Sequence, residues 1–516
     1  MKHVLGIDIG TTGAKALLVS EKGDVTASAT TEYPLLTPRP NWAEQNPQTW
    51  WEATVSATQA CLEKARATIG KRLEVAALGF SGQMHSSVFL DSHGGVLRPA
   101  ILWCDQRTAP QCQEITDTVG FDRLIRLTQN RALAGFTAPK ILWLRQHEPE
   151  VYEQVCKVLL PKDYIRYRMT GMFATEVSDA SGTLLFNVAE RVWSDEMLQA
   201  LDMPREWLPD CFESPEISGY LTGEAARALG LTEGTPVVGG GGDQAAGAVG
   251  NGIVREGLVS CVLGTSGVVF WPSDKPAFDP LGRLHSFCHA IPGKWHLMGV
   301  TLTAGGALRW FRDTLCQDEI AEARLKGVDP YDIIIKKATS VSPGSEGLVF
   351  LPYLAGERNP HADANARGAF LGLSLRHTKA HMARAVLEGV IMNLKGCMEL
   401  GQESGVTATR LSLSGGGARS AAWQQIVADI FGINVVRNSV DEGPAYGAAI
   451  LAAVGIGLFN SVEEACTSFI RAADSRAPEP ARSQVYGHLY DLYRPIYATL
   501  RDFFNSDAAF VEDVTQ

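Results

Sequence analysis

The sequence has no surplus of basic residues, and this absence bears first on its partners. Its 46 Lys and Arg stand against 57 Asp and Glu, which gives a formal net charge of -11. Because a protein that neutralises a nucleic-acid backbone needs clustered Lys and Arg, this balance argues against a nucleic-acid partner. The chain also has no uninterrupted apolar stretch long enough to span a bilayer, so we expect no membrane partner.

Two further absences concern the cellular setting and the type of fold. The 10 Cys are scattered without C-x-x-C spacing, which favours a reduced, cytoplasmic protein. Asp8 interrupts the apolar N-terminus before it could resemble a signal sequence. No long polar or repetitive tract is present, and a length of 516 residues predicts two folded domains with a ligand cleft between them.

The common nucleotide-binding motifs are also missing. The sequence has no G-x-x-x-x-G-K-[ST] loop and no well-placed G-x-G-x-x-G after a first strand. P-loop and dinucleotide-binding folds therefore lose their usual support. If the protein binds a nucleotide, other glycine turns must hold its phosphates.

Two similar glycine turns are the most informative feature that is present. Gly10–Gly13 reads G-T-T-G between apolar runs at 3–9 and 16–19, and Gly264–Gly267 reads G-T-S-G between runs at 260–263 and 268–270. One such turn is more often an ordinary hairpin. Two at equivalent positions predict a duplicated unit whose backbone N–H groups clasp one polyphosphate from both sides. We place the domain boundary near residue 250, giving domains over 1–250 and 251–516.

Other segments complete the coarse prediction of structure. A third strand is expected near Val25, a helix from Asn46-Pro47, and a buried strand at 75–80. A third glycine turn, Gly415–Gly417, lies between a strand and a helix and suits the adenosine end of a nucleotide. The chain is expected to end in one long helix from about residue 483.

Asp243 is the predicted general base. It follows four consecutive glycines and precedes an Ala-rich segment, so its carboxylate should lie at a helix start within bare backbone. Aspartate at a helix start is commonly an N-cap, but capping does not require Gly239–Gly242 to be free of side chains. Phosphoryl transfer needs an acidic residue that orients the nucleophile and accepts its proton.

Other side chains near these turns are candidates for metal and sugar binding. Asp8 is the second predicted carboxylate and should reach Mg²⁺, which binds phosphate together with one or two carboxylates. Lys15 either approaches the phosphates or points to solvent. His85, which follows a buried strand together with Gln83 and Met84, either binds sugar hydroxyls or is a structural histidine.

These residues resemble the FGGY carbohydrate kinases and, within them, the xylulokinase group, over nearly the whole chain. One family signature runs from Gly135 through Lys140 to His147, and the other from Gly368 to Glu388. Segments of the xylulokinase type include Ser81–His85, Trp103–Arg107, Leu160–Tyr164, Gly239–Gly250 and His285–His289.

The resemblance implies an α/β fold of two ribonuclease H-like, actin-like ATPase domains with ATP and Mg²⁺ in the interdomain cleft. It also implies a sugar bound mainly by the N-terminal domain, a nucleotide bound by the C-terminal domain, and D-xylulose as the acceptor. Gln244 stands where xylulokinases often have Asn, which keeps an amide but lengthens its arm. The complete predicted site is Asp243 as catalytic residue; Gln83, Met84, His85, Trp103, Asp105 and Gln244 for the sugar; Gly10, Thr11, Thr12, Lys15, Gly264, Thr265, Gly417 and Ala418 for ATP; and Asp8 with Asp243 for the metal.

Two alternatives remain open at this level. One or two pocket residues can redirect hydroxyl recognition, so a kinase for a related acceptor such as gluconate or ribulose is the first alternative. A chaperone-like ATPase of the same fold is the second, because a fold alone does not fix chemistry. The sequence also leaves the assembly state open, a homodimer included.

Overall fold

The structure is a computed structural model that describes residues 1–70, 73–440 and 442–515. It confirms the α/β class, with helices packed around two seven-stranded sheets. The strands before residue 243 are β1 (Lys2–Ile9), β2 (Gly13–Ser20), β3 (Val25–Glu32), β4 (Glu44–Gln45), β5 (Glu74–Gly82), β6 (Val88–Leu90), β7 (Ala100–Ile101), β8 (Lys157–Leu159), β9 (Ala174–Glu176), β10 (Phe186–Asn187), β11 (Val192–Trp193), β12 (Asp210–Phe212), β13 (Ile217–Tyr220), β14 (Pro236–Val238) and β15 (Gly241–Gly242). The strands after it are β16 (Gly257–Leu263), β17 (Gly267–Ser273), β18 (His285–Cys288), β19 (Trp295–Thr301), β20 (Val349–Leu351), β21 (Ala369–Leu371), β22 (Ala408–Ser414), β23 (Asn434–Asn438) and β24 (Ala472–Arg476).

The helices are distributed over both halves of the chain. The first half contains α1 (Pro47–Ile69), α2 (Ala109–Val119), α3 (Phe121–Thr128), α4 (Thr137–His147), α5 (Pro149–Tyr152), α6 (Pro161–Thr170), α7 (Val177–Ala180), α8 (Asp195–Leu201), α9 (Gly223–Leu229) and α10 (Asp243–Gly250). The second half contains α11 (Gly305–Leu315), α12 (Gln317–Lys326), α13 (Pro330–Thr339), α14 (Lys379–Glu403), α15 (Ala421–Phe431), α16 (Gly443–Gly455), α17 (Val462–Phe469), α18 (Pro480–Tyr493) and α19 (Ile496–Thr515). The C-terminus therefore forms two helices, where one long helix was expected.

The two sheets share one topology, which confirms the predicted duplication. In the first sheet β3, β2 and β1 form an antiparallel meander, and β5 and β14 continue it in parallel with β1. In the second sheet β19, β17 and β16 form the meander, and β22 and β23 continue it in parallel with β16. The strand order 3-2-1-4-5 therefore occurs twice.

Each predicted glycine turn connects the first two strands of its sheet. Ile9 pairs with Ala14 across the first turn, where the Gly10 amide donates to the Gly13 carbonyl oxygen at 3.0 Å. Leu263 pairs with Gly267 across the second turn. Because parallel strands β5 and β22 end beside these turns, the carboxyl edges of both sheets can form one site.

Helices α10 and α16 connect the two halves of the fold. They cross at glycines, since a Cβ on Gly447 would lie 1.8 Å from the Ala246 carbonyl oxygen. Although α16 lies in sequence between β23 and β24 of the second sheet, it packs on β1 and β5 of the first, where a Cβ on Gly6 would lie 1.9 Å from the Ala445 carbonyl oxygen. The position of α10, and of the residue at its start, is thus set by both halves of the chain.

Within the described part of the chain, no helix combines the length and the apolar character that crossing a membrane would require.

Candidate active site

A cavity of about 380 Å³ lies between the carboxyl edges of the two sheets. It is lined from the first half by Asp8 and Lys15 of the first hairpin and by Asp243 and Gln244 of α10. The second half contributes the second hairpin turn, the third glycine turn and the start of α16, through Gly264, Ser266, Ser414, Gly415, Glu442, Gly443 and Pro444. Folding thus brings five of the predicted site residues, Asp8, Lys15, Asp243, Gln244 and Gly264, to one cavity.

Asp243 is the first residue of α10, and the preceding glycines are needed for its position. Gly240 has φ +77°, and a Cβ there would lie 2.3 Å from the Phe80 carbonyl oxygen. A Cβ on Gly242 would lie 2.8 Å from Cγ of Met84. Side chains in this loop would therefore push α10, and Asp243 with it, away from the end of β5.

Burial is the main cause of the altered acidity of Asp243. It raises the pKa of the carboxyl to about 7, and the negative charge of Asp8 adds to the rise. Hydrogen bonds from the backbone and the side chain of Gln244 oppose it. A carboxylate with a pKa near neutrality can accept a proton from an alcohol and release it again at physiological pH.

Asp8 lies on β1 beside the first turn and fits a divalent cation. Burial raises the pKa of this carboxyl, and the interaction with the Ser81 hydroxyl and the positive charge of Lys15 act against the rise. Among the described residues, Oδ1 of Asp8 has no hydrogen-bond partner. Carboxylate oxygens are the ligands that Mg²⁺ prefers, and the ion completes its shell with water and phosphate. The described residues hold no group of three or more His, Cys, Asp or Glu that could bind a metal unaided.

Lys15 reaches across the cleft. Its ammonium group forms an ion pair with Glu442, just before α16, while both residues line the cavity. The sequence left two alternatives for Lys15. Its approach to the phosphates of a nucleotide remains a prediction, and the contact observed in the structure is the ion pair with Glu442.

A second cavity, of about 470 Å³, adjoins the first at Gly264. Glycines from three separate segments line it and leave flat backbone surfaces. Its lining includes Gly264, Thr265, Gly305, Gly306, Tyr331, Gly416, Gly417 and Trp423. Gly305 and Gly306 were not among the predicted residues, although a Gly-Gly pair between strand β19 and helix-forming sequence was a signal of the same kind. Ala418, by contrast, is buried behind this wall, where its carbonyl oxygen accepts from Nε2 of Gln424.

Met84 and His85 follow β5, and Met84 lies close to the start of α10. Met84 packs against Gly242, the residue before Asp243. His85 has φ +67°, and its Nδ1 lies 2.9 Å from the Gly182 carbonyl oxygen. Nζ of Lys140 donates to the His85 carbonyl oxygen at 3.0 Å and so holds this unusual backbone conformation. Burial lowers the pKa of His85 to about 3, with the charge of Lys140 adding to the effect, so the imidazole is neutral.

The first glycine turn is surrounded by predicted sugar-site residues. Nε1 of Trp103 donates to Oγ1 of Thr11 at 3.0 Å, and Nε2 of Gln83 lies 3.4 Å from the Gly10 carbonyl oxygen. The Thr12 carbonyl oxygen accepts from the Tyr33 amide.

Asp105 differs from the other predicted sugar-site residues. Its side chain is completely buried, and its oxygens accept from the Ala43 amide at 2.6 Å and from the Arg107 guanidinium at 2.7 and 2.9 Å. These contacts anchor a loop next to Trp103. Both carboxylate oxygens of Asp105 are thus already hydrogen-bonded within the protein. We therefore do not include Asp105 among the proposed sugar contacts.

The duplicated topology, the paired glycine turns and the buried carboxylate at their junction define a phosphotransferase of the actin-like fold. Comparison with known proteins makes the assignment specific. Residues 3–250 match the model for the N-terminal domain of the FGGY family of carbohydrate kinases, and residues 259–456 match its C-terminal domain. The chain therefore belongs to the FGGY family, as its motifs predicted, and it is a sugar kinase that transfers a phosphoryl group to a hydroxyl.

Three relatives show the range of similarity within this family. The xylulose kinase of Escherichia coli is 43% identical, over 96% of this chain and 99% of that protein. The solved structure of a xylulose kinase from Rhodospirillum rubrum superposes with a TM-score of 0.89 at 31% identity, covering 98% of this chain and 100% of that one. A gluconokinase of Bacillus subtilis is 34% identical, over 89% of each chain.

Proposed function

We propose that this protein transfers the γ-phosphoryl group of ATP to the C5 hydroxyl of D-xylulose, giving D-xylulose 5-phosphate and ADP. The observation that carries the proposal is the position of Asp243, which lines one cavity together with Asp8 and Lys15 of the first hairpin and with Gly264 and Gly415 from the glycine turns of the second sheet. The similarity to curated xylulose kinases along nearly the whole chain selects the acceptor.

In the proposed reaction a bond forms between the sugar oxygen and the γ-phosphorus while the bond from that phosphorus to the β,γ-bridging oxygen breaks. Asp243 accepts the proton of the attacking hydroxyl. With a pKa of about 7, a substantial fraction of this carboxyl is ionised at neutral pH. General base catalysis of this kind contributes roughly 10²- to 10⁴-fold to rate.

The glycine turns are proposed to hold the nucleotide. The larger cavity would receive adenosine between Gly306 and Gly417, and the phosphates would extend past Gly264 towards the first turn, Gly10 to Thr12. Backbone N–H groups in such turns can serve as anion donors, apart from the Gly10 amide, which already donates to the Gly13 carbonyl oxygen. Asp8 and Asp243 would hold Mg²⁺, which when bound neutralises charge on the phosphates.

The acceptor is proposed to lie against Met84, His85, Trp103 and Gln244, with Gln83 behind the first turn. A neutral His85 can both donate and accept hydrogen bonds, as a sugar hydroxyl requires. Gln244, adjacent to the base, offers an amide to a neighbouring hydroxyl.

A panel of acceptors tests the proposal. ADP release would be measured at fixed ATP and Mg²⁺ with D-xylulose, D-ribulose, gluconate, glycerol and no acceptor. We expect the highest kcat/KM with D-xylulose and only slow turnover without acceptor. A higher kcat/KM for gluconate would transfer the assignment to a sugar-acid kinase, and acceptor-independent turnover at the full rate would contradict a kinase role.

One observation favours gluconate as the second candidate. Among the described residues, Nε of Arg131 has no hydrogen-bond partner, and the charge of Arg358 contributes to the lowered pKa of His85. The carboxylates of Asp279 and Glu357 act electrostatically on Arg131 and Arg358, respectively. Guanidinium groups near the predicted sugar site suit a carboxylate ligand. An Arg358→Gln variant that loses turnover with gluconate but keeps it with D-xylulose would support this second activity, and equal effects on both would exclude it.

A further inference from the structure

Five ionisable side chains form a buried cluster behind the glycine loop that precedes Asp243. Lys162, Asp163 and Arg166 come from α6. Glu176 ends β9 and caps α7, and Asp179 lies within α7; each of the five is at most 1% exposed. Nζ of Lys162 lies 2.7 Å from Asp163 and 3.2 Å from Asp179, and Nη2 of Arg166 lies 2.6 Å from Asp163. We call these five residues the buried charge cluster.

A contribution to folding stability does not by itself explain why the protein has the buried charge cluster. Moving charges out of water costs several kcal/mol per ion, and apolar residues of similar volume are often as stabilising as a buried ion pair. Buried ionic groups can instead fix one conformation of their surroundings, which is a hypothesis to be tested in each protein. The surroundings here are the loop Gly239–Gly242.

This loop has no side chains with which to fix itself. Glycine has the greatest backbone freedom of any residue, and four in succession leave the start of α10 undefined unless other groups hold the backbone. The pairing of Gly241 and Gly242 with the end of β5, and a hydrogen bond from the Gly239 amide to the Glu216 carbonyl oxygen at 2.8 Å, supply part of this support. Three further hydrogen bonds complete it. Arg166 donates to the Gly239 carbonyl oxygen at 3.1 Å, the Gly240 amide donates to the Ser214 carbonyl oxygen at 2.9 Å, and the Gly242 amide donates to Oγ of Ser178 at 3.0 Å.

The bond to Ser178 is the one adjacent to the base. The Ser178 hydroxyl is completely buried and donates its hydrogen to Oε1 of Glu176 at 2.9 Å, which aims its lone pairs towards the Gly242 amide. Glu176 is itself fixed by the amides of Ser178 and Asp179 at 2.7 and 2.9 Å. A continuous set of contacts therefore runs from the buried charge cluster through Ser178 to the residue before Asp243.

We propose that Ser178 is a positioning residue for Asp243, and that the buried charge cluster serves to fix Ser178. The inference rests on the proposed role of Asp243 as general base. Misplacing a reacting group by about 1 Å can cost up to about 100-fold in rate. The loss should fall on kcat, because the hydrogen bonds of the Ser178 amide and hydroxyl join it to Glu176 and Gly242, and Ser178 is not among the described residues that line the two cavities.

The chain offers a matched control in Ser214. Its hydroxyl is also completely buried and also donates to Glu176, through Oε2 at 2.9 Å. Its hydroxyl does not bond the loop, which it meets through its backbone carbonyl. Ser178→Ala and Ser214→Ala therefore remove the same type of hydrogen bond from the same carboxylate, and only the first removes the acceptor of the Gly242 amide.

The test compares kcat, KM and Tm for wild type, Ser178→Ala, Ser214→Ala, Ser178→Thr and Asp243→Asn. We expect Ser178→Ala to lower kcat by about tenfold or more, with both KM values within about twofold. Ser214→Ala should change Tm to a similar extent but leave kcat within about twofold. Ser178→Thr keeps the hydroxyl and should recover most of the kcat.

Equal kcat losses in the two alanine variants, an effect confined to KM, or a threonine variant as slow as the alanine variant would each overturn the proposal. The Asp243→Asn variant distinguishes failure of the proposed role of Ser178 from failure of the proposed role of Asp243. If Asp243→Asn is as active as wild type, the general base is wrong. If wild type does not use D-xylulose, the acceptor is wrong, and the same comparison can be made with whichever acceptor it does use.

Discussion

Asp8 and Asp243 reach the same cavity from a strand and from a helix start, and the charge of Asp8 adds to burial in raising the pKa of Asp243 to about 7. Two carboxylates in one buried site resist simultaneous ionisation. A cation between them, or a proton on one of them, relieves the repulsion. The pair therefore suits a site that alternately receives a metal-bound phosphate and a proton.

Replacement of Asp243 by Asn should abolish most of the phosphoryl transfer. The amide keeps the size of the side chain but cannot accept the proton of the hydroxyl, so we expect kcat to fall by about 10³-fold. ATP binding should persist, because the cavity proposed to receive adenosine is formed by other residues. Coupled ADP release gives kcat, and titration with a fluorescent nucleotide gives the affinity. Turnover near the wild-type rate would remove Asp243 from its proposed role.

The same substitution should stabilise the metal-free protein at pH 8. The pKa of Asp243 rises from its usual 3.8 to about 7 on folding, so folding favours the protonated form and stability falls as pH rises between these values. Above pH 7 the ionised Asp243 lowers the free energy of unfolding by its full amount, at most about 4 kcal/mol. Asn carries no charge, so in EDTA the Tm of Asp243→Asn should exceed that of wild type at pH 8 and match it near pH 4. A variant less stable than wild type at pH 8 would contradict the burial of an ionised carboxyl.

Sequence reasoning found the parts of this site that are local in the chain. The two G-T-[ST]-G turns predicted both hairpins, and Asn46 does cap α1, where its Oδ1 accepts from the Gln48 amide at 3.0 Å. The glycine run predicted a helix starting at Asp243, which the structure confirms. In each case the residues that interact are within a few positions of one another.

The features that sequence reasoning missed join distant segments. Ser178 and Gly242 are 64 positions apart, and the packing of α16 on β1 joins residues more than 430 positions apart. Such contacts leave no periodic pattern, because a single buried hydroxyl or glycine is enough to make them. The division of the C-terminus into α18 and α19 was missed for the opposite reason, since both helices carry helical periodicity and only Arg494 and Pro495 separate them.

Adjacent glycines of the cavity proposed to receive adenosine should respond differently to substitution. Among the described residues, a Cβ on Gly416 meets no atom within 4 Å, whereas a Cβ on Gly417 would lie 2.8 Å from Cβ of Leu263 and 2.9 Å from the Trp423 ring. Gly416→Val should therefore occupy the cavity and raise the KM for ATP by about tenfold with little change in Tm. Gly417→Val should lower stability by about 1 to 3 kcal/mol, as overpacking does. Steady-state kinetics and thermal unfolding distinguish the two, and a Gly416→Val enzyme with unchanged KM for ATP would place the nucleotide elsewhere.

Substitution at the helix crossing should couple loss of stability to loss of activity. A Cβ on Gly447 of α16 would lie 1.8 Å from the Ala246 carbonyl oxygen of α10, a backbone atom that cannot move without shifting the helix that begins at Asp243. Gly447→Ala should therefore cost about 3 kcal/mol in the free energy of unfolding and lower kcat as well. Gly487, within α18, is the control, because a Cβ there meets no atom within 4 Å. Gly487→Ala should stabilise the protein by about 0.5 to 1 kcal/mol through reduced freedom of the unfolded chain and leave kcat unchanged. Chemical denaturation and ADP release measure both quantities, and if Gly447→Ala behaved like Gly487→Ala, α10 and α16 could not pack as closely in solution as they do in this structure.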